Sequence, residues 1–273
     1  MSRRMAVAGQ FYPADARRLR STIQSATPSL EGEPTAALGA LCPHAGYPFS
    51  GGVAAGLFAR VRVPDAVLLL TPSHAYAQPA FALWSGGAWE TPLGSIALHE
   101  GLTDALSRHP HVTPADEPHL PEHSGEVVLP FLQYHNPDVR IAVVCVTASA
   151  RLPQLKEVGT FAATALADLG EGDALVVASS DMSHERGAHA LEVVRRNDAL
   201  AIAEMEKLDA DGLYSVCRLE SITMCGVLPA AVMMASVAAR GGTEGTLVER
   251  ATSADSPLGG GDYVVGYAGM RFR

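Results

Sequence analysis

Six short β-rich runs constrain the fold more than any other feature of this chain. They lie at 38–42, 66–70, 139–146, 174–178, 246–249 and 263–267, and most carry no alternating polar position. A strand with one wet face alternates apolar and polar residues, whereas a strand covered on both faces does not. Between the runs lie helical patterns at 52–59, 101–107, 126–134, 155–169, 188–207 and 226–239. Strands alternating with helices predict an α/β fold, a three-layer αβα sandwich around a mainly parallel mixed sheet. No repeat, low-complexity tract or linker divides the sequence, so residues 1–273 read as a single domain. The segment 107–122, with four prolines and three histidines, is expected to be a surface loop.

Composition removes several function classes. The chain has 29 Asp and Glu against 20 Lys and Arg, a net charge of −9, with 6% aromatics and no basic run. A nucleic-acid partner would need the opposite electrostatic footprint. The longest apolar stretch, 227–239, contains Pro229 and Ser236 and stops at Arg240. It falls well short of the ~20 residues needed to cross a bilayer and reads as a core helix, so no membrane partner is expected. Residues 1–10 lack a secretory apolar segment, and Cys42, Cys145, Cys217 and Cys225 show no paired spacing. A cytoplasmic protein with free thiols is the expectation.

In open α/β sheets ligands bind beyond the carboxyl ends of the strands, where loops converge. The chemically capable residues fall there. His44 follows the first run, His74 the second, and Asp181 and His184 follow the run ending at 178. Fingerprints of phosphate loops, serine hydrolases and zincins are absent, and Gly51, Gly52 and Gly56 lack a following Lys and read as a turn and a close helix contact. What remains is a scattered His, Asp, Glu and Cys set of the kind that assembles a mononuclear metal site from across a fold.

Each residue also has a plainer reading. A single His after a strand commonly caps a turn, Asp181 and Ser183 would suit a helix cap, and His184 an exposed turn. Glu122, His123, Ser124 and Glu126 resemble a helix start with Ser124 as cap and Glu126 favouring the dipole. Cys225 precedes an apolar helix whose amide dipoles would lower its pKa, but a free Cys is also often a small buried hydrophobe. Cys42, Cys145 and Cys217 are read as buried. His99, His109, His111, His119 and His135 are expected to be solvated, and His189 to lie on a helix face.

Taken together the motifs match a family. Ala8-Gly9-Gln10-Phe11-Tyr12-Pro13, Pro43-His44-Ala45-Gly46-Tyr47, Pro72-Ser73-His74, Glu122-His123-Ser124-Gly125-Glu126, Ser179-Ser180-Asp181-Met182-Ser183-His184 and Thr223-Met224-Cys225-Gly226 stand in order along the chain. The sequence resembles the Memo family, also known as protein B of the AmmeMemoRadiSam system. That family is similar in fold to the class III extradiol dioxygenases, which hold Fe(II) with two histidines and a glutamate. The resemblance implies His44, His74 and Cys225 as metal ligands, with His123, Asp181 and His184 as the polar, catalytic lining. This sequence departs from the pattern at Thr71, where Gly is usual, and at Val227-Leu228 after the Cys-Gly pair.

These readings imply a metal-dependent oxidoreductase with one ion, iron(II) first and copper or zinc as alternatives, acting on a small-molecule substrate or O₂. A thiolate is softer than a carboxylate, which widens the choice of metal. An extradiol-type dioxygenase is the narrower version. A ligand- or peptide-binding module using the same cleft without chemistry is the competing class, with no Arg cluster evident for a phosphate, and a Cys225 nucleophile hydrolase is the third. Homo-oligomerisation stays open.

Overall fold

The structure, a computed structural model, describes residues 2–273. From the amino end the chain runs through α1 (Ala16–Ala26), β1 (Gly39–Cys42), α2 (Tyr47–Phe58), β2 (Ala66–Pro72), β3 (Phe81–Leu83), β4 (Trp89–Thr91) and β5 (Gly94–Ile96). It continues through α3 (Glu100–Ser107), β6 (Val112–Pro114), α4 (Ser124–His135), β7 (Arg140–Val146), α5 (Leu152–Asp168), β8 (Leu175–Ser179) and β9 (His184–Arg186). The last elements are α6 (Ala190–Glu206), α7 (Ala210–Leu219), α8 (Val227–Ala239), β10 (Gly245–Thr252) and β11 (Tyr263–Phe272).

The main sheet has nine strands in the order β10-β11-β1-β8-β2-β7-β3-β6, with β9 pairing β11 off that path. Its centre, β1-β8-β2-β7, is parallel, and β11 and β3 join it antiparallel on either side. Four of the six runs are these central strands, the other two falling in β10 and β11, and the central side chains divide by period two between two cores. Leu68, Leu70, Val144, Val146 and Val176 pack against Leu155, Val158 and Met233 of α5 and α8. Val67, Leu69, Val143, Leu175 and Val177 pack against Leu19, Phe58 and Phe131 of α1, α2 and α4. Both faces are dry, which is why the strands carry no polar alternation.

The helix layer behind α8 depends on one close approach. A Cβ on Gly159 of α5 would stand 2.4 Å from the carbonyl oxygen of Val232 in α8, so only glycine lets the two backbones meet. The predicted core helix at 227–239 is α8, and among the described residues no helix is long and apolar enough to cross a membrane.

Several expectations are corrected. The segment 107–122 is not a plain surface loop: it carries β6 and a one-turn 3-10 helix, and His109, His119 and Glu122 are buried in it. His119 donates from Nε2 to the Ala82 carbonyl and meets Trp84 and Trp89 edge-on, so it is a core residue, not a solvated one. His99 is buried as well, accepting from the Leu102 N–H to cap α3 while Nε2 reaches Glu171. Gly51 and Gly52 lie inside α2, not in a turn, while Gly56 makes the expected close contact, against Glu249. No helix follows Asp181 and Ser183; β9 does, which leaves neither residue a helix to cap.

Candidate metal centre

Because β1, β2 and β8 run parallel, the loops after them leave the same edge of the sheet. His44 stands just past β1, His74 just past β2 and Asp181 just past β8. His123, which immediately precedes α4, joins them. One nitrogen each of His44, His74 and His123 lie within 4.8 Å of one another, a group able to hold a metal ion. The His74 and His123 rings stack at 4.8 Å, and His44 meets both edge-on. His44 is buried, His123 half-buried, and the His74 side chain is 41% exposed, so the group opens to solvent on the His74 side.

Hydrogen bonds fix which nitrogen each ring presents. The Ser179 hydroxyl donates to the Ser124 carbonyl, so it accepts from Nδ1–H of His44 at 2.7 Å and leaves Nε2 unprotonated, facing Cys225. Glu122 Oε1 accepts from Nδ1–H of His74 at 2.9 Å and leaves that Nε2 unprotonated too. A partner on the far nitrogen sets tautomer and ring orientation in metal-binding histidines.

Glu122 is the residue that sequence reasoning assigned only to a helix start. Its carboxylate is buried and accepts from the His74 N–H at 2.7 Å, the His74 ring and the Ser124 N–H at 2.9 Å, with His123 Nδ1 at 3.5 Å. Burial works to raise its pKa, but these bonds and the His74 charge outweigh burial and hold the carboxyl well below its ordinary range. The Glu122 hydrogen bond in turn raises His74. Burial lowers His44 and His123, helped in each by a neighbouring imidazole, which favours the neutral form that binds metal.

Cys225 lies outside the group of three imidazoles and borders it at His44, with its Sγ 3.3 Å from His44 Nε2. Bonds of about 2.0–2.3 Å place two ligand atoms on one ion roughly 3–4.4 Å apart, and this pair has that spacing. The Asp181 N–H donates to the sulfur at 3.2 Å. The Asp181 carboxylate turns the other way and accepts from the His44 and Ala45 N–H groups at 2.8 and 3.2 Å, locking the loop that carries His44. Gly226 is what lets Cys225 sit so close: a Cβ there would lie 2.4 Å from the Ser179 carbonyl oxygen. The expected dipole effect on the thiol is overturned. Desolvation and the Asp181 carboxylate push the Cys225 pKa up in the protein without metal. The other three cysteines are buried, as expected.

His184 stands at the start of β9, with its N–H on Thr223 Oγ1 at 2.7 Å and its ring Nδ1 3.2 Å from the Thr223 carbonyl. It lies outside the group of three imidazoles and ties the β9 loop to the strand of chain that leads into Cys225. His189 is the exposed residue before α6.

A second network backs the site. Arg3 is fully buried, 4.3 Å over the Trp89 ring, and donates to the His119 and Glu122 carbonyls at 2.9 and 2.5 Å. Its ion-pair partner Glu126, at 2.5 Å, also accepts from the Ala6 and Val7 N–H groups and the Tyr12 hydroxyl. Glu126 thus fastens the amino-terminal segment to α4 instead of merely favouring a helix dipole. Phe11 of that segment packs on His123 at 4.9 Å.

A family profile described as "Memo-like protein" matches residues 3–271. A MEMO1 family protein of Aquifex aeolicus is 38% identical over 99% of this chain and 98% of its own length. One from Methanopyrus kandleri is 38% identical over 100% and 99%, and one from Methanosarcina acetivorans 36% identical over 98% of each. Among solved structures, an uncharacterized protein from Escherichia coli K12 is similar at 15% identity and a TM-score of 0.41, over 77% of this chain and 88% of that one. With the profile spanning nearly every residue and full-length relatives well above 30% identity, the chain belongs to the Memo family.

Proposed function

We propose that this protein is a metal-dependent oxidoreductase whose single ion, iron(II) or copper, is held by Nε2 of His44, Nε2 of His74 and Sγ of Cys225. The observation that carries the reading is the pair of unprotonated Nε2 atoms, each fixed by a partner on the opposite nitrogen, with a sulfur 3.3 Å from one of them. Two imidazoles and a thiolate satisfy a borderline or soft ion and leave positions open. When bound, such an ion supplies one-electron chemistry and sites for O₂ or a chelating substrate.

The chain's own residues supply the rest. His123, neutral because it is desolvated, faces the other two rings and acts as the general acid or base. Asp181 holds the His44 loop through two backbone N–H groups and gives the sulfur its own N–H, which favours a charged thiolate once an ion is present. His184, half-exposed beside Thr223, is the alternative to His123 as general acid or base. A cysteine-nucleophile hydrolase is disfavoured by the same electrostatics. With His44 pushed down and Cys225 pushed up, the thiolate–imidazolium pair that such an enzyme needs is the unfavourable state.

The test is elemental analysis of anaerobically purified wild type, Cys225→Ala, His74→Ala and His123→Ala, with cobalt substitution to read a sulfur-to-metal charge-transfer band. About one ion per chain, lost with Cys225 or His74 and kept without His123, is the expected result. Loss with His123 and retention without Cys225 would replace the sulfur by a third imidazole. The redox assignment is read separately, as oxygen consumption with catechols that stops on chelation, and a yellow ring-fission product would select the extradiol version.

A further inference from the structure

A cavity of about 330 Å³ opens beside Cys225, between the starts of α5 and α8 and the end of α7. Its size is at the lower end of the ~300–1,000 Å³ over which small organic ligands bind. Ile222, Val227 and Leu228 give it apolar walls, and Pro72 and Ser73, which lead into His74, close one side.

The charge of this cavity is unlike that of the rest of the molecule. The chain carries −9, yet no Asp or Glu lines the cavity, while Arg151 and Arg218 both do. Among the described residues the ion-paired Lys and Arg side chains are Arg3, Arg62, Lys156, Arg196 and Lys207, so the two arginines that line the cavity, both exposed, are without a carboxylate partner. Arg218 rests on Tyr214, 5.6 Å over its ring and 3.4 Å from its hydroxyl. Arg151 is the residue before α5, and Val227 is the first residue of α8. Neither helix has an acidic residue in its first turn to offset the positive end of its dipole. Sequence reasoning found no arginine cluster because these two arise on different helices and only the fold brings them to one chamber.

We infer that this cavity is the substrate chamber of the proposed centre, and that it takes a small apolar molecule bearing one oxyanion head group, a carboxylate or a phosphoryl group. Arg151 and Arg218 hold the head group, since the planar guanidinium fork matches either oxyanion in two-point hydrogen bonds. The apolar body lies against Ile222, Val227 and Leu228 and brings its far end to Cys225. Its role as a substrate chamber rests on the metal reading above; its ligand class rests on the two arginines and the walls alone.

The experiment is titration calorimetry with phenylacetate, hexanoate and phenylphosphonate, each carboxylate set against its neutral amide, on metal-free and iron(II)-loaded protein of measured metal content. Arg151→Gln, Arg218→Gln and the double variant are compared with wild type after thermal melts show them folded. At least one oxyanion is expected to bind about tenfold or more tightly than its amide, each single variant to lose about tenfold, and the double variant to lose the preference. Phenylphosphonate against phenylacetate then assigns the head group. Amides binding as well as their acids, variants indistinguishable from wild type, or no oxyanion binding below about 10 mM would each overturn the inference. Charge-selective binding that persists in a protein unable to hold metal would keep the ligand class while removing the metal reading, so the two failures are distinct.

Discussion

Glu122 grips His74 at two points, with one carboxylate oxygen on its backbone N–H at 2.7 Å and the other on its ring Nδ1 at 2.9 Å. A rotation of the ring would break the second bond without relieving the first, so His74 is held with Nε2 outward despite its exposure. Glu122→Gln keeps the shape but loses the charge that makes His74 a strong donor. Metal affinity is expected to fall roughly 10–100-fold, and Glu122→Ala to fall further. Competition against a calibrated chelator reads both.

Glu126→Gln is expected to cost about 3–5 kcal/mol, because it leaves the fully buried Arg3 cation uncompensated. The double variant Arg3→Met, Glu126→Gln should recover part of that loss. Urea unfolding of the three proteins measures it, and a single variant within about 0.5 kcal/mol of wild type would remove the pair from any role in fastening the amino-terminal segment.

Burial lowers His119 to about 4 from the ordinary 6.5, and its Nδ1 has no partner to receive a proton. The unfolded chain therefore binds the proton first as pH falls. The contribution of this residue is fully present above about 6.5 and is lost as pH drops through about 4, an effect on the order of 3 kcal/mol. Stability of metal-free wild type should fall through that window more steeply than that of His119→Gln.

Cys225 is the half-exposed cysteine, yet its thiol is held protonated by desolvation and by the Asp181 charge. Iodoacetamide at pH 7.5 is expected to modify it more than about tenfold slower than a free peptide thiol. Asp181→Asn should speed the reaction. Rapid labelling of wild type, followed by mass spectrometry, would return the nucleophile reading to contention.

Gly226→Ala places a methyl 2.4 Å from the Ser179 carbonyl oxygen and the Ser180 Cβ, atoms that belong to or adjoin the strand end. The cost is expected to be about 1–3 kcal/mol, with loss of metal beyond what Gly159→Ala, a clash remote from the site, produces. Metal stoichiometry against melting temperature separates the two variants.

The central strands were legible because burial on both faces writes itself into consecutive residues, as in 66–70, and because His44 and His74 follow such runs directly. Three-residue strands such as Phe81–Leu83 and His184–Arg186 are too short for a period to show. α1 and α7 escaped because each buries only one side: Leu19 and Ile23 are the buried residues of a helix otherwise rich in Arg, Ser and Thr. Arg3 and His119 gave no local sign of burial, since their partners, Glu126 and the Ala82 carbonyl, lie far along the chain. Glu122 was hidden for a different reason. A carboxylate just ahead of a helix has a sufficient local explanation, and nothing nearby announces a histidine that arrives from another strand.

β1 lies between β8 and β11, so the strand that carries the His44 loop has as its outer neighbour a strand that follows every other element described here. Until Tyr263–Phe272 emerges, a nascent chain holds β1 with one row of amides and carbonyls bare, an open template for another polypeptide. Productive pairing of β1 therefore waits for β11, and a premature stop shortly before 263 should yield aggregated chains and not a smaller working version of the protein.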